Sequence, residues 1–290
     1  MEKFYSEQKN QNSDHLPQSE KEWLETGKFD IEIVDIGKHQ IRCAFTRGAE
    51  KGLLVTMIGG IPCDADRCKK LPLINKLYGH LAIKNLDKNI SSLLYNQPAT
   101  GGSSGERETE TLQSRTNILA ELVQHFGAKI DCVENVLIGA SAGAYMAVNA
   151  IEKIRNEKFK PSKLILLSPA AYPEEIENVP SGEKFSKIIR QPWDIAKSPI
   201  FSKLEDFAQN GGSVYVSFFE SDNPPIPEHI QEYFKKLVEQ LSNNGYNAIF
   251  KIIPGVAHNF RIIGSHEGKN IVDNNSIRTT ANSLIEFLAK

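Results

Sequence analysis

Nearly continuous apolar runs set the first constraint on this chain. Leu53–Ile58, Val136–Ile138, Leu164–Leu167, Val214–Phe219 and Ala248–Ile253 are too short for buried helices. They read as strands, and the continuous run Leu53–Ile58 as one buried on both faces. Asn89–Tyr95 is a further strand. Between them lie stretches with helical spacing. Arg107–Phe126 places Leu112, Ile118, Leu119, Leu122, Val123 and Phe126 on one face, with Gly127 as a stop signal. Pro227–Leu241 and Ser276–Leu288 are helical too, and another helix falls within Asp66–Leu86, complicated by Pro72. Strand and helix alternate from Leu53 to the end. That order predicts an α/β fold: a mostly parallel sheet of about eight strands with helices on both faces. Phe29–Ile36 and Gln40–Phe45, joined at Gly37-Lys38, read as an antiparallel hairpin leading into it.

Two segments stand apart. Residues 1–25 form a polar tail that Trp23 and Leu24 tack onto the body, and 26–290 then make one domain. Ala170–Phe207 is charged and Pro-containing, with isolated aromatics at Tyr172, Phe185, Trp193 and Phe201, and reads as a cap or irregular crossover inserted in the sheet order. A net charge of −2 gives no case for nucleic acid. No run approaches the roughly 20 apolar residues of a membrane span. Cys43, Cys63, Cys68 and Cys132 match no metal or redox spacing and read as free thiols in a reducing, cytoplasmic setting.

Chemistry concentrates where the apolar runs stop, because open α/β sheets bind ligands at the carboxyl ends of their strands. After Val136–Ile138 comes Gly139-Ala140-Ser141-Ala142-Gly143, then residues of helical composition. Strand, tight turn and helix with Ser at the apex is the geometry of a nucleophile elbow. Small neighbours are required because strand and helix pack closely around a strained Ser backbone. The pattern is not G-x-G-x-x-G, and no Lys-Ser/Thr follows, so a dinucleotide or phosphate loop is the poorer reading. After Leu53–Ile58 comes Gly59-Gly60-Ile61-Pro62. After Asn89–Tyr95 comes a Gly/Ser-rich loop, Asn96–Gly105. After Val214–Phe219 comes Glu220-Ser221-Asp222, and after Ala248–Ile253 comes Pro254-Gly255-Val256-Ala257-His258.

Ser, acid and His in that order fit a catalytic triad. Ser141 needs a base to take its proton, His258 titrates in the right range to do so, and Asp222 would hold the imidazole tautomer. The oxyanion would be bound by the backbone N–H groups of Ile61 and Ala142, with Gly59 and Gly60 letting the backbone approach substrate. Glu220 is the competing acid and His266 the competing base. Tyr172 and Trp193, with Gly59 and Gly60, are the candidate substrate contacts.

From about residue 29 to 290 these motifs resemble the α/β-hydrolase superfamily. Gly59-Gly60-Ile61-Pro62 is similar to its His-Gly-x-Pro loop, with Gly59 in place of His. Ile253-Pro-Gly-Val-Ala-His258-Asn-Phe260 is close to the usual His loop, and the acid loop is one residue longer than usual. The resemblance implies a serine esterase, thioesterase, lipase, peptidase or acyltransferase. Leu167-Ser-Pro-Ala-Ala-Tyr172 and the Trp193-containing cap look like small carboxylesterases or acyl thioesterases. The expected function is hydrolysis of a small or medium carboxylic ester or thioester, with no metal and no organic cofactor. Acyl transfer to another acceptor and a non-catalytic binding protein on the same fold are the alternatives. The expected partner is a small-molecule acyl ester or thioester, and no oligomeric state follows from the sequence.

Overall fold

The computed structural model describes residues 19–49, 51–61, 69–222, 226–258 and 273–289, with the backbone of 261–262. The first eighteen residues, Pro62, Cys63, Cys68, Asn259, Phe260 and His266 lie outside these. The hairpin is β1 (Asp30–Ile36) and β2 (His39–Thr46), paired antiparallel with Ile36 opposite His39. β3 (Leu53–Ile58), β4 (Ser91–Tyr95), β5 (Glu134–Ala140), β6 (Pro161–Leu167), β7 (Ser213–Ser221) and β8 (Ala248–Ala257) form the parallel body. With β9 (Arg261–Ile262), the described strands make one sheet in the order β1-β2-β4-β3-β5-β6-β7-β8-β9. Outside the body, β2 runs antiparallel to β4 and β9 antiparallel to β8.

Helices cover both faces, as the alternating order requires. α1 (Glu20–Glu25), α2 (Lys76–Asp87) and α8 (Asn274–Leu288) lie on one side. α3 (Leu112–Lys129), α4 (Ala142–Ala150), α6 (Pro199–Gln209) and α7 (Glu228–Asn243) lie on the other, with the short α5 (Glu183–Ile189) packed at its margin. Along β5, Val136 and Ile138 feed the α2/α8 core while Leu137 feeds the α3/α4 core. This is why the central strands read as unbroken apolar runs. Caps set the helix starts. Asn75 Oδ1 accepts from the Tyr78 N–H at 2.9 Å, and Thr111 and Ser114 cap reciprocally at 3.0 Å.

Four details differ from the expectations. Pro72 precedes α2 instead of complicating it, because α2 starts only at Lys76. The strand expected to stop at Ile253 continues to Ala257 through Gly255, whose φ is +74°; the pairing with β7 shifts register between Phe219 and Ser221. The helix after the elbow ends at Ala150, and Ile151–Lys153 tightens to a 3₁₀ turn. The end of the polar tail is helical. Ser19 caps α1, and Trp23 is buried against Gly79, where a Cβ would lie 2.6 Å from the indole.

Candidate active site

Ser141 sits between β5 and α4 with φ 54° and ψ −122°, a backbone conformation that costs a non-glycine residue roughly 1–3 kcal/mol. The surroundings hold it there. Ser141 N–H donates to Leu167 O at 2.9 Å, and Ser141 O accepts from Ala144 N–H at 3.0 Å and Ala170 N–H at 3.2 Å. Val136, Leu137, Ile138, Tyr145 and Met146, each at most 1% exposed, anchor strand and helix. Buried side chains of this size contribute about 1.5–3 kcal/mol apiece, so the strain is outweighed locally. Both flanking glycines are sterically required. A Cβ on Gly139 would lie 2.5 Å from Ala144 Cα, and one on Gly143 would lie 2.4 Å from Ile58 O.

The acid and the base come together. His258 Nδ1 and Asp222 Oδ1 are 2.5 Å apart. Asp222 is 1% exposed; its Oδ2 accepts from Ser168 Oγ at 2.5 Å and from Phe219 N–H at 2.9 Å. The Phe219 ring stands edge-on to the imidazole at 6.0 Å. A buried carboxylate on Nδ1 fixes the tautomer and orientation of that ring. Glu220, the competing acid, is exposed and accepts the Gly255 N–H at 2.6 Å, where it supports the kink in β8.

Ser168 was not singled out from the sequence. It follows β6 directly and has φ +45°; its N–H donates to Ser217 O at 2.6 Å. Its position immediately after an apolar run was the available signal, the same one that marked Asp222.

Ser141, Ser168 and His258 line one cleft of about 780 Å³. Among the described residues Ser141 Oγ makes no side-chain hydrogen bond; Ser141 and His258 line the same cleft. Such bonds are often long before substrate binds. Gly59, Gly60 and Ile61 line the same cleft. A Cβ on Gly60 would lie 3.1 Å from Ser141 Cβ, so Gly60 is the residue that permits close approach; at Gly59 a Cβ would meet nothing. Ala142 is the first residue of α4, where backbone N–H groups lack helical acceptors. The carbonyls before the loop are held by side chains: Tyr78 Oη donates to Ile58 O at 2.9 Å, and Gln97 Nε2 to Gly59 O at 2.6 Å.

The expected cap contacts lie elsewhere. Tyr172 stacks edge-on against Tyr145 at 5.2 Å and Phe185 at 5.7 Å, and Trp193 packs on the same core, on the α4 side of the sheet. Neither borders the cleft, whose apolar wall is built by Leu73, Leu77, Leu94, Leu167 and Phe219 with Ile277 of α8. Of the Gly/Ser loop, Asn96, Gln97 and Thr100 reach the cleft, and Gly101–Gly105 do not.

No protein-family model and no curated protein matches the sequence. Solved structures do. An α/β serine hydrolase without a lid from Xanthomonas campestris superposes with a TM-score of 0.58 at 13% identity, over 89% of this chain and 93% of the other. Est1E from Butyrivibrio proteoclasticus with ferulic acid bound gives 0.59 at 17% identity, over 89% and 98%. A thermophilic esterase from Thermogutta terrifontis, malate bound, gives 0.53 at 16% identity, over 90% and 98%. Matched along nine-tenths of its length, this chain has the α/β-hydrolase fold.

Proposed function

We propose that this chain is a serine hydrolase that cleaves a carboxylic ester or acyl thioester through Ser141, His258 and Asp222. The observation that carries the reading is the buried Asp222 held at 2.5 Å on His258 Nδ1, with His258 and Ser141 on the wall of one cleft. With Nδ1 engaged, Nε2 is the nitrogen left to act as base. Ser141 Oγ attacks the acyl carbon as His258 takes its proton, and the carbonyl oxygen becomes an oxyanion between the Ala142 and Ile61 N–H groups. Collapse expels the alcohol or thiol with the proton from His258 and leaves an acyl ester on Ser141. Water then attacks, giving its proton to His258; the free acid departs and Ser141 regains its hydrogen.

The cleft supports a substrate with an apolar group of medium size, because side chains from β4, β6, β7, α2 and α8 enclose it. Three of the structural relatives are named as a serine hydrolase or esterase or carry a bound aromatic acid, which supports the same class. Burial raises the thiol pKa of both Cys43 and Cys132, so neither competes with Ser141 as a nucleophile. Among the described residues no helix is long and apolar enough to cross a membrane.

A fluorophosphonate probe tests the reading. Peptide mass spectrometry is expected to find the phosphonyl group on Ser141 and nothing on the Ser141→Ala variant. Folded wild-type protein that stays unlabelled would sink the proposal.

A further inference from the structure

Gly59-Gly60 makes the loop after β3 intrinsically loose, since neither residue restricts its own backbone. Oxyanion donors contribute only when they are fixed before the charge develops. Something outside the loop must therefore hold it, and one contact does so from 38 positions away. Gln97 Nε2 donates to Gly59 O at 2.6 Å. On the other side of the same peptide unit's path, a Cβ on Gly143 would lie 2.7 Å from that oxygen, so α4 backs the carbonyl.

The orientation of the Gln97 amide is itself determined. Arg115 Nη1 donates to Pro98 O at 2.6 Å and to Gln97 Oε1 at 3.3 Å. Arg has only donors, so it selects the amide oxygen and turns the NH₂ end toward Gly59. Arg115 is fully buried and Gln97 is 4% exposed. A buried guanidinium is costly unless its donors are satisfied, and the bonds to Gln97 and Pro98 contribute to that. Thr100 fixes the other end of the residue, with Oγ1 donating to Gln97 O at 2.6 Å.

We infer that Arg115 and Gln97 form a positioning relay that presets the Gly59–Ile61 loop for oxyanion binding. The inference rests on the serine-hydrolase reading above. Gln97 touches no reacting atom; it acts through the Gly59 carbonyl, which fixes the Gly59–Gly60 peptide plane and anchors the chain one residue before the Ile61 N–H.

Gln97→Glu separates this role from a structural one. The variant is isosteric and gives Arg115 a full ion pair, which offsets the bond lost to Gly59 and keeps the chain folded. It presents an oxygen to Gly59 O where a donor stood, so the loop is released. On a p-nitrophenyl ester, kcat is expected to fall roughly ten- to a hundredfold with KM within about twofold, against the hundred- to thousandfold seen when a donor itself is removed. The rate of fluorophosphonate labelling should fall in parallel while the melting temperature does not. Gln97→Met, which has neither donor nor acceptor, is expected to show the same kinetic loss. Folded variants with wild-type kcat and labelling rate would overturn the relay, as would variants that unfold, since Gln97 would then be structural. Those results leave an active, labelled wild type. A wild type that neither labels nor turns over ester overturns the hydrolase reading itself and the relay with it.

Discussion

Asp222 gathers three donors at one buried carboxylate, and each sets a different part of the geometry. The Phe219 N–H ties it to its own strand end, Ser168 ties it to the neighbouring strand, and His258 uses what remains. Asp222→Asn is expected to leave the fold intact and lower kcat by roughly four orders of magnitude, because an amide no longer enforces the tautomer. Glu220→Gln should stay within about twofold of wild type, since its carboxylate faces Gly255. Ser168→Ala removes a bond to a charged acceptor, of a kind worth about 1.5–3 kcal/mol, and should lower kcat about tenfold. Steady-state kinetics on the three variants, with circular dichroism for folding, checks this ranking. At this scale the sequence was informative about placement. Ser141, Asp222 and His258 were singled out by their order and by their position after apolar runs, and Ser141 and His258 line one cleft with Asp222 on His258. Ser168 was not, because a serine followed by proline reads equally well as the end of a strand.

On the α2/α8 side, His80 is partly enclosed, and its Nε2 is buried with no hydrogen-bond partner among the described residues. Burial, and then the Lys84 and Arg278 charges, lower its pKa from 6.5 to about 4. Between those values the unfolded chain binds the extra proton and the folded chain does not. Stability therefore declines as pH falls from 6.5 toward 4, and this contribution is constant above and below that window. His80→Leu should flatten the decline, read as the urea midpoint measured across that pH range; an unchanged slope would remove His80 as its source. Element boundaries were legible from the sequence where caps or long apolar periods existed. The extension of β8 was not, since Pro254-Gly255 ordinarily ends a strand. Here Glu220 and the register shift toward β7 carry the pairing past it.

At the scale of the whole molecule, the cleft is assembled from segments far apart in the chain. Glu20 of α1 accepts the Leu73 N–H at 2.7 Å and meets Arg42 of β2, while Trp23 seals α1 against Gly79. No local pattern encodes contacts separated by fifty residues, and this is why composition pointed to the aromatic segment 170–207 instead. Those aromatics complete the α4-side core. The prediction at this scale concerns substrate size. Leu71 lines the cleft from an irregular segment, so enlarging it shortens the available space without disturbing a helix. Leu71→Trp should lower kcat/KM for octanoyl relative to acetyl p-nitrophenyl esters by about fivefold or more, the order expected for a few misplaced methylenes. Equal changes for both esters would place the acyl chain elsewhere.

The backbone of Ser141 has a consequence for how this protein can change. At φ 54° and ψ −122° glycine fits the position with less strain than serine does. With Ser141 in the role proposed above, survival of heat and retention of turnover pull in opposite directions at this one codon. A library sorted for thermal resistance alone would then enrich glycine there, so selection on this scaffold has to act on both traits together.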